Sequence, residues 1–308
     1  MAESSFHAFI FSQIDGVTPK LFHRVRVELE NLGASWSEIF ESPGRLAAAL
    51  NLPPEVNHAL AGDFSDEEKL FSELGAKGVT VLRAGDERYP ASLLESLGDC
   101  APPVLFTAGA TATLSKPGIA FSGARHATPQ GVDAARELSK KLCRTAPVVS
   151  GLAQGVDTGA HLGAVSGGGR TTAVLPCGIM HFRPGELAAE WDDERICVVS
   201  EFVPRRPWSA AAAMQRNRTI VALSRVLVCV EPGGTGGTLE TARKALKMGR
   251  PLFLLRHGGD ADWRATERLA ASGGEILDAA DLDGAAAAVA AAYRDFRPRK
   301  SQGELFED

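Results

Sequence analysis

The sequence is poor in cysteine, has no apolar run of membrane length and carries no excess of positive charge. Its five cysteines, at 100, 143, 177, 197 and 229, form no Cys-x-x-Cys pair. A disulfide framework and a thiolate metal site are therefore not expected, and the chain reads as one made for a reducing cytosol. Cys197 and Cys229 lie inside apolar runs and read as small buried residues. No apolar stretch approaches the roughly 18–20 residues of a membrane span, and the first residues, MAESSFHAFIFSQIDG, lack a basic segment before their apolar part. The expectation is no membrane association, no signal peptide, no metal and no cofactor. A net charge of −5 argues against nucleic-acid binding over the whole surface.

A local basic groove remains open, because the basic residues cluster. Arg205, Arg206, Arg216 and Arg218 form one group. Arg243, Lys244, Lys247 and Arg250 form another, at helical spacing, and read as a solvated helix face.

Residues 1–75 are expected to be helical. Ser42-Pro43 is a cap-and-first-turn signal, and Ser65-Asp-Glu-Glu68 opens a helix with acids at its positive end. Residues 76–117 read as a strand–helix–strand extension. From 118 to 295 the pattern is apolar strand, glycine turn, amphipathic helix. Strands are predicted at 119–123, 147–151, 171–176, 196–202, 225–232 and 251–255, helices near 129–144, 156–167, 209–223 and 238–248. Continuous apolar strands imply burial on both faces, hence an α/β, doubly wound, Rossmann-like parallel sheet. Residues 296–308, charged throughout, are predicted to be a disordered tail.

Ligands of such a sheet bind outside the carboxyl ends of its strands. In this chain those ends carry small and polar residues: SGAR (122–125), SGLAQGVD (150–157), PCG (176–178), SE (200–201) and EPGGTGGTLE (231–240). Gly123 lets the chain turn, and Arg125 is placed to fork onto a phosphate. Gly151 flanks a second turn. Asp157 and His161, four residues apart on one helix, read as a structural hydrogen bond in preference to a catalytic pair. Arg216 and Arg218 bracket Asn217 at the start of an apolar helix and form an anion-site candidate. The last loop is neither G-x-G-x-x-G nor a Walker A motif. Its glycines, Gly233, Gly234, Gly236 and Gly237, permit close backbone approach, and Thr238 can donate a hydroxyl. Gln302-x-x-Leu305-Phe306 resembles the short peptide by which bacterial proteins dock on the replication sliding clamp.

Taken together, these motifs resemble the DprA (DNA-processing protein A, or Smf) family. GDERYP, Gly123-Ala124-Arg125, SGLAQGVDTGAH, Ser200-Glu201 and Arg216-Asn217-Arg218 occur in the family's order, with a looser likeness in the helical (SAM or HhH-like) amino-terminal domain. The resemblance implies single-stranded DNA binding, strand protection and delivery to the RecA recombinase by a non-catalytic homodimer. It implies phosphate contacts from Arg125, Arg216 and Arg218. The setting it implies is transformation, recombination repair or phage defence, the last as regulatory partner of a toxin. The chain departs from the pattern in three places. Ala213 and Met214 stand where the family has Phe-Pro, with Trp208 as a substitute stacking residue. Met180 and Arg183 replace the Asp and Tyr of another motif. The glycine loop, with Pro232, Gly233, Gly234, Gly236 and Glu240, resembles that of the lonely-guy (LOG) phosphoribohydrolases. That second resemblance implies an alternative, cleavage of the N-glycosidic bond of a nucleoside monophosphate by Glu240 with Arg216 and Arg218.

Overall fold

The structure is a computed structural model and describes residues 2–41, 46, 49–259 and 261–298. Ser42-Pro43 and the Gln302–Phe306 motif, with most of the expected tail, lie outside the described residues.

Among the described residues the first elements include the helices α1 (Ala2–Gln13), α2 (Pro19–Leu32), α3 (Trp36–Glu41), α4 (Pro54–Ala59) and α5 (Ser65–Ala76). There follow β1 (Thr80–Arg83), α6 (Ala91–Leu97) and β2 (Val104–Gly109), then β3 (Gly118–Gly123), α7 (Pro129–Leu142), β4 (Val148–Ser150), α8 (Val156–Ser166), β5 (Thr171–Val174) and β6 (Ile196–Ser200). The chain then forms α9 (Ala210–Ala222), β7 (Ser224–Val230), α10 (Gly237–Lys247), β8 (Leu252–Arg256), α11 (Arg264–Ala271), β9 (Glu275–Asp278) and α12 (Leu282–Asp295).

The nine strands among the described residues join one sheet in the order β1-β2-β6-β5-β4-β3-β7-β8-β9. From β6 to β9 every pairing is parallel. Strands β3, β4, β5 and β6 are buried at every residue, as two-sided burial requires. The extension is the one antiparallel part: β1 pairs β2, and β2 pairs β6, with Phe106 opposite Ser200. The chain thus runs outward from β3 to β6 in one direction, then crosses back to place β7 on the other side of β3. The strand order reverses between β3 and β7, and the crevice of a doubly wound fold opens at that point.

The sheet and the first helices share a core. One apolar cluster runs from Phe11, Phe22 and Trp36 through Leu93 and Leu105 to Leu227 and Leu254. A second, on the other face, joins Phe121, Leu138, Val156, Val228 and Val289. The helices that flank the crevice start where their sequence dictates. Thr128 accepts from the Gly131 N–H ahead of Pro129, and Ser209 accepts from the Ala212 N–H. Among the described residues no helix is long and apolar enough to cross a membrane.

Candidate nucleic-acid interface

Three strand ends meet above the sheet. The loops after β3, β4 and β7, together with one face of α9, enclose a crevice of about 400 Å³. Its walls are Ser122–Arg125, Ala153 and Asp157, then Ala210, Ala213, Met214, Arg216 and Asn217, then Gly233, Thr235, Gly237 and Thr238, with Trp208 at the rim. A second chamber of about 410 Å³ shares Arg125, Ala153, Trp208 and Arg216 with the first and adds Gly151, Leu175, Cys177, Phe182 and Arg183. Arg125 lies over the Trp208 ring at 5.9 Å, so this pair stands between the two chambers.

The electrostatics favour an anion. The first turns of α8, α9 and α10 contribute Asp157, Ala210 and Gly237 to the walls, so three helix amino-termini converge there. Arg125 is exposed and, among the described residues on this wall, is the cation free to meet a ligand. Asp157 is the one carboxylate on the wall among the described residues, and it is already occupied: Oδ2 accepts from the N–H groups of Gly151 (3.1 Å) and Ala153 (3.4 Å). Burial raises its pKa, while Arg216 and these N–H groups pull it back down.

Arg216 is part of the floor more than of the surface. It is only 4% exposed, and Nη1 donates to the Val174 carbonyl at 2.6 Å. Burial lowers its pKa, opposed by Asp157 and deepened by Arg125. The helix that carries it begins at Ala210, so Arg216 and Arg218 sit in its second and third turns instead of at its positive end, a correction to the sequence reading.

Arg218 does not reach the crevice. It points to the other side of α9, where Nη2 lies 3.3 Å from Glu201 Oε2. That carboxylate is 1% exposed and also accepts from Thr219 Oγ1 (2.8 Å) and Gln215 Nε2 (3.2 Å). Asn217 ties α9 to the glycine loop, its Nδ2 donating to the Gly237 carbonyl at 3.2 Å. Thr238 ties the loop to β3, its hydroxyl donating to the Gly123 carbonyl at 2.8 Å. Gly123 itself is a packing requirement, since a Cβ there would meet Val156 at 2.5 Å.

The glycine loop is open. Around Gly236 nothing lies within 4 Å of where a Cβ would stand, and around Gly233 only the loop's own Thr235 carbonyl does. Of Gly233, Gly234, Gly236 and Gly237, only Gly236 has a positive φ, +97°. The root of the loop was not legible in the sequence. Glu231 is left-handed, φ 46°, and its carboxylate accepts from the Thr128 N–H (3.0 Å), the Thr128 hydroxyl and His257 Nε2 (2.6 Å). The Glu-Pro pair at a strand end was the only available signal. Likewise Arg250 is not on a solvated face: it is 6% exposed, donates to Ser96 Oγ at 2.5 Å, and burial lowers its pKa to about 10.

Asp157 and His161 do not pair. The Thr171 hydroxyl donates to the Val148 carbonyl (3.0 Å), so it accepts from His161 Nδ1 (2.6 Å), and the imidazole is neutral. Burial, with Arg216 adding to it, takes the His161 pKa to about 3.

Glycosidic cleavage would need Glu240 and an arginine around one substrate atom. Glu240 is instead held by Arg243 on its own helix (2.7 Å) and lies off the crevice wall, while Arg216 Nη1 donates to the Val174 carbonyl under the crevice. That alternative is not favoured. No group of three or more His, Cys, Asp or Glu among the described residues is gathered to hold a metal.

The family model for DNA recombination-mediator protein A matches residues 80–283, which spans the whole crevice. The chain belongs to this family. The Streptococcus pneumoniae DNA processing protein DprA is 32% identical over 172 residues, which is 55% of this chain and 60% of that protein. The Bacillus subtilis DprA is 31% identical over 212 residues, 62% and 70% of the two chains. The Escherichia coli protein Smf is 34% identical over 179 residues, 57% and 47%. This chain thus spans about half to 70% of these relatives' length. The DprA fold extends over nearly all of it: the X-ray structure of S. pneumoniae DprA superposes with a TM-score of 0.76 at 24% identity, covering 96% of this chain and 99% of that one. A Helicobacter pylori DNA processing protein A, whose structure was described for its single-stranded DNA binding mode, has a TM-score of 0.58 at 23% identity, covering 71% and 97%.

Proposed function

We propose that the crevice holds phosphates of single-stranded DNA, and that the protein protects such strands in the cytoplasm and delivers them to RecA as a non-catalytic homodimer. One observation carries the reading. The loops after β3 and β7 and the first turns of α8, α9 and α10 face one space, with Arg125 exposed on it and its only carboxylate, among the described residues, already satisfied by backbone. Such a site attracts a polyanion locally while the molecule as a whole is acidic. Backbone N–H groups and guanidinium carry no base preference, which suits a strand of any sequence, and Trp208, 54% exposed, offers a face for base stacking. Membership of the DNA recombination-mediator family and the single-stranded DNA binding of the H. pylori relative support the same reading.

The test is fluorescence anisotropy with labelled oligo-dT at low salt. Binding by the wild type, weakened in Arg125→Ala, is expected; no binding by the wild type contradicts the reading. RecA delivery is read separately, as faster RecA assembly on the oligonucleotide when this protein is present, and the homodimer as twice the chain mass in sedimentation.

A further inference from the structure

The glycine loop has two open sides, and only one of them faces the crevice. On its other side lies a second cleft, of about 510 Å³, lined by Gly234, Thr235, Asp262, Arg264 and Arg268. Thr235 belongs to both clefts. The two are therefore separated only by a loop that carries no side chain at four of the five positions from 233 to 237.

Among the described residues, the far cleft holds one unspent cation. Asp262 is turned to Arg264, accepting from Nε (2.9 Å) and Nη2 (2.7 Å), so these two charges satisfy each other. Arg268 is exposed on α11; its guanidinium makes no hydrogen bond to the described residues and feels Asp262 only through space. Its Nη2 would be 3.6 Å from a Cβ on Gly234, so the guanidinium lies directly against the bare loop. A guanidinium left without a fork partner beside exposed backbone N–H groups is a phosphate position.

We infer that the loop is a saddle over which a bound strand passes: phosphates in the crevice are followed by phosphates at Arg268, so the ligand is a chain of nucleotides that leaves the crevice across residues 233–235. The inference rests on the proposed function and adds the path and minimum length of the ligand. A mononucleotide filling the crevice would have no use for a cation beyond the loop.

The experiment measures the affinity of wild type and Arg268→Ala for oligo-dT of increasing length at low salt, with salt titrations on the longest. Thermal melting controls for folding, which loss of an exposed guanidinium leaves intact. The wild type is expected to gain affinity as the oligonucleotide outgrows the crevice. Arg268→Ala is expected to lose part of that gain, roughly fivefold on the longest oligonucleotide, with a salt slope smaller by about 0.7, the value for one phosphate contact on a single strand. Identical length dependence in the two proteins overturns the saddle while leaving crevice binding in place. Absence of binding by the wild type at every length overturns both.

Discussion

The Arg216 guanidinium fills the space of the side chain that Gly151 lacks: a Cβ built on Gly151 would fall on Arg216 Nη1. The glycine at the end of β4 is thus there for an arginine from α9 that crosses under the crevice to the end of β5, where it donates to Val174. Gly151→Ala is expected to expel the guanidinium, strand the Val174 carbonyl and leave Asp157 buried beside no cation. Chemical denaturation should show a loss of about 2–3 kcal/mol. A loss below ~0.5 kcal/mol would mean that the guanidinium is not fixed there.

Arg125 is the opposite case. It is exposed, and its one described partner is the Trp208 ring. Arg125→Ala should leave the melting temperature within a degree or two and weaken oligo-dT roughly tenfold, since a charge-assisted phosphate contact is lost while nothing buried is uncovered.

Arg218 separates fold from binding. With its partner Glu201 1% exposed, Arg218→Ala leaves a buried carboxylate with only Thr219 and Gln215, at a cost of about 2–3 kcal/mol. Oligo-dT affinity, measured well below the variant's melting temperature, should stay within about twofold of wild type. A tenfold loss would place Arg218 on the DNA after all.

Within the glycine loop, position matters more than composition. Gly236→Ala places a Cβ at φ +97° and should cost roughly 1–2 kcal/mol, whereas Gly233→Ala, without a positive φ, should be nearly neutral for stability. Comparison of the two melting curves decides it.

Acid should destabilise the protein through His161. Its folded pKa of about 3 lies below the ordinary histidine value of 6.5, so the stability it contributes is complete above pH 6.5 and is lost as pH falls from 6.5 toward 3. Within that window the loss approaches 1.4 kcal/mol per pH unit. His23, also lowered by burial, acts in the same direction, and Asp157, whose pKa is raised, acts against it at the acid end. His161→Gln, whose amide can still donate to Thr171, should flatten the dependence of unfolding free energy on pH between 4 and 7.

The sheet was legible because two-sided burial writes itself as unbroken apolar runs, and the site's edge because small and polar residues gather where those runs end. Strand direction in the extension was not, since VTVLRAG and VLFTAG read alike in either sense; it is set by pairing, β2 running antiparallel to both β1 and β6. Side-chain destinations were legible only in part. Arg216, Asn217 and Arg218 are consecutive, and a turn of 100° per residue sends the first under the crevice, the second to the loop and the third to Glu201. Arg250 and Glu240 both look like helix-surface charges; Glu240 is one, bonding Arg243 three residues on in its own helix, whereas Arg250 is buried against Ser96, an outcome its own segment does not encode.

The most direct test of the central claim is where a strand touches the protein. Oligo-dT carrying 5-bromodeoxyuridine is cross-linked by ultraviolet light to the wild type, and the adducts are mapped by mass spectrometry. Adducts on Trp208 and Met214, at the rim of the crevice, are the predicted result. Adducts confined to surfaces away from the ends of β3, β4 and β7 would contradict it.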